Sequence, residues 1–158
     1  MPDRHAHAEV SLRPAVAADL EWLADLRAIV LRDDLERLGR YDDVRVRQRL
    51  RDAYDPSVTR IIVVDTEDVG SIAIRRQDDT HWLEHFYLAR SHQGHGIGGR
   101  ILRVALQGHV HYRLNVLQGS AARRLYERHG FVVEREDEVD VFMILDRTSG
   151  STLRGPLS

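Results

Sequence analysis

Between Gln93 and Gly99 the chain reads QGHGIGG, four glycines in seven residues, and Gly94, Gly96 and Gly99 satisfy the spacing G-x-G-x-x-G. Missing side chains expose consecutive backbone N–H groups. Apolar Ile101, Leu102, Ala105 and Leu106 then recur at helical spacing and predict a helix over Arg100–His109. The loop therefore opens at a helix N-terminus, where those amides and the helix dipole favour a phosphate. A tight strand-to-helix turn alone needs one or two glycines, not four. Two familiar phosphate loops are excluded. A dinucleotide fingerprint needs an acid about 20 residues on, and the next strand, Tyr112–Leu117, has none. A Walker loop needs a lysine, and all 23 basic residues are arginine.

The absence of Lys and Cys excludes Schiff-base lysine chemistry, a catalytic thiol, thiolate-bound zinc and disulfides. Chemistry is left to His, carboxylates, hydroxyls, backbone amides or a bound cofactor. Nine histidines, among them His81 and His85, His92 and His95, and His109 and His111, raise the question of a metal. No HExxH occurs and no acid completes a three-ligand set, so no metal is expected. A formal charge of −2 gives no global pull toward nucleic acid or anionic lipid. No apolar run approaches the roughly 18 residues of a membrane span, and MPDRHAHAE lacks the apolar stretch of a secretory signal. The expected compartment is the cytoplasm.

At 158 residues and 42% hydrophobic, the chain can build one core. A flexible N-terminus over 1–9, one domain over 10–145 and a disordered tail over 146–158, rich in Ser, Thr and Gly, are expected. Within the domain, Val10–Arg13 reads as a strand stopped by Pro14, and Leu20 to Leu31 recur as a helix. A second helix over Asp43–Tyr54 carries Arg45, Arg47, Arg49 and Arg51, which read as a solvated face. Arg60–Asp65 and Val69–Arg75 form a hairpin, and His81–Ala89 a central strand. The strand, glycine loop, helix and strand over 81–117 imply a parallel pair. Ser120 can cap a helix over Ala121–His129 that ends at Gly130, and Phe131–Glu136 and Val139–Leu145 close as antiparallel strands. The five carboxylates between Glu134 and Asp140 read most simply as a solubilising turn. The expected fold is α/β, a mixed sheet of about six to seven strands with flanking helices.

Gln93-Gly94-His95-Gly96-Ile97-Gly98 resembles the Q/R-x-x-G-x-G/A signature of the GNAT superfamily of N-acetyltransferases, and Tyr87-Leu88 upstream resembles the end of that family's central strand. Ala122 to Phe131, with Leu125, Tyr126 and Gly130 in place, resembles its A-x-x-L-Y-x-x-x-G-F helix. In element order the resemblance runs over about 10–145. It departs where the family often has Asn near the helix cap, since Gly119 and Ser120 stand here, and where Pro is common, since Arg90 stands here.

The resemblance implies acetyl-coenzyme A as co-substrate, lying in a splay between the strand ending at Ala89 and that ending at Leu117. The backbone of Phe86, Tyr87 and Leu88 would pair with the pantetheine arm, and the amides of Gly94 to Gly99, His95 and Ile97 among them, would take the pyrophosphate, with Gln93 opening the motif. Ser120 would lie beside the cofactor. Acetyl transfer to an amine needs a base, an oxyanion donor and an acid for the thiolate. Tyr126 would be the acid, a backbone amide near Leu88 the oxyanion donor, and Glu84, through a water, the base, with His85 the alternative. Adjacent strand residues face opposite sides, so only one of these two is expected in the cleft; Glu84 is favoured, and a strand bulge could reverse which of them it is. The implied acceptor is a primary amine of a small molecule or peptide, and a homodimer is left open. A non-catalytic acyl-coenzyme A binding or sensing domain is the competing reading.

Overall fold

The computed structural model describes residues 8–148. The expected ends at 1–7 and 149–158 lie outside them. Inside the boundary the domain is slightly longer than expected, because Ala8 packs in the core and Asp146 ends the last strand.

A first strand, β1 (Val10–Pro14), leads to helices α1 (Leu20–Arg37) and α2 (Asp43–Ala53). Strands β2 (Thr59–Val64), β3 (Glu67–Gln77) and β4 (Thr80–Leu88) form a meander. Then come α3 (Ile97–Ala105), β5 (His111–Leu117), α4 (Ala122–Arg128), β6 (Val132–Glu136) and β7 (Asp140–Asp146). The sheet has seven strands in the order β1-β2-β3-β4-β5-β7-β6. β4 and β5 are parallel, and the other neighbouring pairs are antiparallel.

The run TRIIVV of β2 is buried on both faces, as a strand covered on both sides must be. Ile62 and Val64 join Ile97, Ile101, Leu102, Leu114 and Phe131 in the larger core, on the face covered by α3. Ile61 points the other way and meets Leu23, Ala24 and Leu50 under α1 and α2. α2 begins at Asp42, whose carboxylate accepts from the N–H groups of Val44 and Arg45. Asp19, beyond favouring the helix dipole, accepts two bonds from Arg13 (3.0 and 2.8 Å), one from Trp22 and one from the Val16 N–H, which pins the start of α1 to β1.

Most element boundaries differ from the sequence expectation by a residue or two, and α1 runs on to Arg37; two of the shifts lie at the glycine loop and at the Tyr126 helix. α3 starts inside the glycine run, at Ile97, with Gly94 and Gly96 in the turn and Gly98 and Gly99 in its first helical turn, and it stops at Ala105. α4 starts one residue late, with Ala121 at the cap position and Ser120 Oγ accepting from the Ala122 N–H at 3.2 Å.

The decisive irregularity lies in β4. Between the pairs Ala73↔Glu84 and Ser71↔Tyr87, β3 advances two residues while β4 advances three. The extra residue is a bulge, and His85 sits in it at φ +49°. Ser71 Oγ, buried, donates to the His85 carbonyl at 2.7 Å and holds the distortion. A bulge bends its strand. β4 accordingly pairs with β5 only over Thr80–Trp82 against His111–Arg113, and beyond those rungs the two strands part.

Candidate active site

The parting strands open into a cavity of about 1110 Å³. Its floor is β4, from Trp82 to Tyr87, with Asn115, Val116 and Leu117 of β5; α1 and α2 wall one side, and Tyr126 and the β6–β7 turn another.

Glu84 and His85 both line it, which corrects the expectation that strand alternation admits only one. The bulge supplies the reason: the added residue breaks the two-residue period where the pair sits. His85 Nε2 lies 3.7 Å from Glu84 Oε2. Glu84 Oε1 takes the Arg75 guanidinium through Nε at 2.7 Å and a second nitrogen at 2.6 Å. His85 Nδ1 lies 3.0 Å from the Tyr87 hydroxyl, which accepts from Arg27 Nε at 2.8 Å. A hydroxyl that accepts from Arg27 can still donate to Nδ1 or accept from it, and Nε2, buried, has no hydrogen-bond partner among the described residues. Burial lowers the His85 pKa, opposed by the Glu84 charge, and keeps the imidazole neutral.

Tyr126 is buried among Phe86 and Phe131, with ring centroids 6.4 and 5.8 Å away. It lines the cavity, and its hydroxyl makes no hydrogen bond among the described residues. Burial, with Tyr87 nearby, raises its pKa strongly, so the phenol keeps its proton.

Of the expected coenzyme contacts, Phe86, Tyr87 and Ser120 line the cavity, whereas Leu88 and residues 93–99 do not. Gln93 Nε2 donates to the Leu88 carbonyl at 2.8 Å and ties the glycine loop to the end of β4. The number of glycines proves a weaker argument than their geometry. Gly98 lets α3 approach Leu125 of α4, so one of the four serves packing. Gly94 and Gly96 stand at φ +78° and +79°, and nothing lies within 4 Å of where their side chains would begin. Gly96 is the cap residue of α3, and the first amides of that helix have no carbonyl partner inside it. The arrangement fits a pyrophosphate.

Sequence reasoning missed several lining residues. Arg27 and Arg75 had no local signal, since their roles exist only across elements. Asp137, Glu138 and Asp140 line the cavity instead of merely solubilising a turn. Asp137 accepts from the Val139 and Asp140 N–H groups at 2.9 and 2.7 Å, which folds the turn inward. The four arginines of α2 divide: Arg47 and Arg51 are in ion pairs, and Arg45 and Arg49 line the cavity. The histidine pairs serve locally, as where His81 packs edge-on against Tyr112 and His111 lies 3.3 Å from Asp146.

A bulged central strand splayed from a parallel neighbour, with a glycine loop opening a helix beside the gap, is the architecture of an acyl-coenzyme A transferase domain. The model of the acetyltransferase (GNAT) domain family matches residues 57–133. The fold is similar to that of the PaiA N-acetyltransferase of Thermoplasma acidophilum, solved with coenzyme A: TM-score 0.71, 21% identity, covering 87% of this chain and 99% of that one. An N-acetyltransferase from Staphylococcus aureus Mu50 superposes with a TM-score of 0.66 at 19% identity, covering 85% and 100%. N-acetylglutamate synthase of Neisseria gonorrhoeae, in complex with coenzyme A and N-acetylglutamate, does so with a TM-score of 0.64 at 18% identity, over 89% of this chain and 36% of that one. No protein of curated function matches the sequence. Residues 57–133 carry a GNAT acetyltransferase domain, and the fold around them is that of the superfamily, whose general chemistry is acyl transfer from an acyl-coenzyme A.

Proposed function

We propose that this protein transfers an acetyl group from acetyl-coenzyme A to a primary amine of a small molecule or peptide, with Glu84 as base and Tyr126 as acid. The observation that carries the reading is the bulge at His85, which brings Glu84, His85 and Tyr126 to one cavity. Bound acetyl-coenzyme A supplies the thioester that the amine attacks. The amides at the start of α3 would hold its pyrophosphate beside Gly94 and Gly96, and the edge of β4 from Phe86 to Leu88 would run along its arm. The ammonium of the acceptor first gives a proton through a water to Glu84 Oε2, Oε1 being held by Arg75; the neutral nitrogen then bonds to the acyl carbon, and the second proton it sheds goes to solvent, from which Tyr126 is reprotonated at the end of the cycle. His85 Nε2 stands beside that carboxylate, and Tyr87, itself held by Arg27, fixes the imidazole ring from its Nδ1 side. A backbone N–H of β4 near Leu88 would hold the oxyanion. The C–S bond then breaks, and Tyr126, protonated and without a competing partner among the described residues, gives its hydroxyl proton to the sulfur.

The test is a thermal-shift series with acetyl-, propionyl- and succinyl-coenzyme A, followed by mass-spectrometric detection of acylated amines from a metabolite mixture. Stabilisation of about 2.7 kcal/mol is expected at one hundred times the dissociation constant. Stabilisation without any acylated amine would favour an acyl-coenzyme A sensor. No stabilisation by any of the three removes both readings.

A further inference from the structure

The charged residues around the cavity are unequally committed. Arg27 donates to Tyr87 and to the Val46 carbonyl, and Arg75 holds Glu84. Asp140 accepts from Asn115 at 3.0 Å; Asp137 accepts its two turn amides and lies in the field of Arg40. On α2, Arg47 is bonded to Asp25 and Asp43 at 2.9 and 2.6 Å, and Arg51 to Glu21 at 2.9 Å. Arg45 and Arg49 are different. They stand one helical turn apart, so they share a face, and that face lines the cavity. Neither guanidinium has a hydrogen bond or ion pair among the described residues. The uncommitted acid on the same lining is Glu138, on the β6–β7 turn.

We infer that the amine acceptor carries an anionic group, a carboxylate or a phosphate, which Arg45 and Arg49 bind. The inference rests on the transferase reading and names the substrate class for the same site. From positions one helical turn apart, two arginine side chains can close on one anion, each offering the paired N–H donors that a carboxylate or phosphate accepts. Leaving both unpaired on one wall costs mutual repulsion, which an anion between them relieves. The wall is also fixed relative to the reacting groups. Val46, between the two arginines, gives its carbonyl to Arg27, and the same guanidinium reaches the Tyr87 hydroxyl beside His85. The anion is thus gripped on α2 while the amine end lies toward Glu84, and Glu138 favours the ammonium form on entry.

Binding to the coenzyme A complex is read by calorimetry, so that the answer does not depend on turnover. The probes are matched pairs: β-alanine against β-alaninamide, and phosphoethanolamine against ethanolamine. In at least one pair the anionic member should bind tenfold or more tightly, and the pair that shows it identifies carboxylate or phosphate as the group recognised. Combined Arg45→Gln and Arg49→Gln should abolish that preference and leave coenzyme A affinity unchanged. Arg47→Gln, altered on the paired face of the same helix, should keep it. Absence of preference in both pairs, whether from equal binding or none, overturns the inference, as does a preference that survives the double substitution. Failure to bind coenzyme A, measured separately, would instead sink the transferase reading.

Discussion

His85 Nε2 lies 3.7 Å from Oε2 of Glu84, its own neighbour on β4. Consecutive residues of a regular strand point to opposite faces and cannot meet this way. Their meeting follows from one inserted residue in the ladder, and it makes Glu84 a carboxylate with one oxygen engaged by Arg75 and the other turned toward the His85 ring.

Glu84→Gln keeps the size and the bond to Arg75 but removes the basic oxygen. Turnover should fall on the order of 10²-fold at neutral pH. The deficit should shrink at high pH, where more acceptor is already the neutral amine. A pH–rate profile of the variant checks this, and a uniform loss below twofold would move the base to His85 or to bulk water.

Tyr126→Phe deletes a hydroxyl with no hydrogen bond among the described residues, so the melting temperature should stay within a few degrees. Turnover should drop about 10²-fold or more if the phenol protonates the thiolate. An acyl donor with a more acidic thiol should restore part of the rate in the variant and less in the parent. Normal turnover with acetyl-coenzyme A would make Tyr126 a packing residue.

Gly96→Ala forces a side chain into the left-handed region at φ +79°, a strain of about 1–2 kcal/mol. The same substitution at Gly108, φ +81° with equally open surroundings, supplies the control. Both variants should lose similar stability without ligand. Only Gly96→Ala should lose the stabilisation by coenzyme A, because only there would the new Cβ stand against the pyrophosphate. Equal retention in thermal shift would contradict the loop assignment.

Asp19 and His85, the most buried of the shifted carboxyl and histidine groups, contribute to the acid limb of stability. Hydrogen bonds from Arg13, opposed by burial and joined by Trp22 and Val16, lower the Asp19 pKa from 3.8 to about 2. A lowered carboxylate pKa stabilises the fold above the unfolded value, here by about 2 kcal/mol, and the gain fades as pH falls from about 4 to 2. His85 is lowered too, mainly by burial. The unfolded chain therefore takes up that proton first, and stability declines as pH drops below 6.5. Urea melts from pH 8 to 3 should show both declines, Asp19→Asn should flatten the lower one, and His85→Gln the upper one.

The parts legible in the sequence are those in which a short run of residues sets its own conformation. A β-branched run makes β2, helical spacing makes α1, α2 and α4, and glycines at the mouth of α3 make the loop because only they take a positive φ without cost. Tyr126 was legible through its motif and the loop through its spacing. The bulge was not, because it is a mismatch between two strands and exists only once β3 and β4 are in register. The division of the α2 arginines has a similar origin. Alternate positions on a helix diverge by about 200°, so docking α2 against α1 turned Arg47 and Arg51 onto Asp25 and Glu21 and left Arg45 and Arg49 facing the cavity. The acidic turn became a cavity wall because β7 inserts between β5 and β6, a pairing across the chain that local sequence does not encode. Local propensity decided the elements and the glycine loop; the convergence of Glu84, His85, Tyr126 and the arginines came from strand register and helix docking, which depend on contacts between residues far apart in the chain.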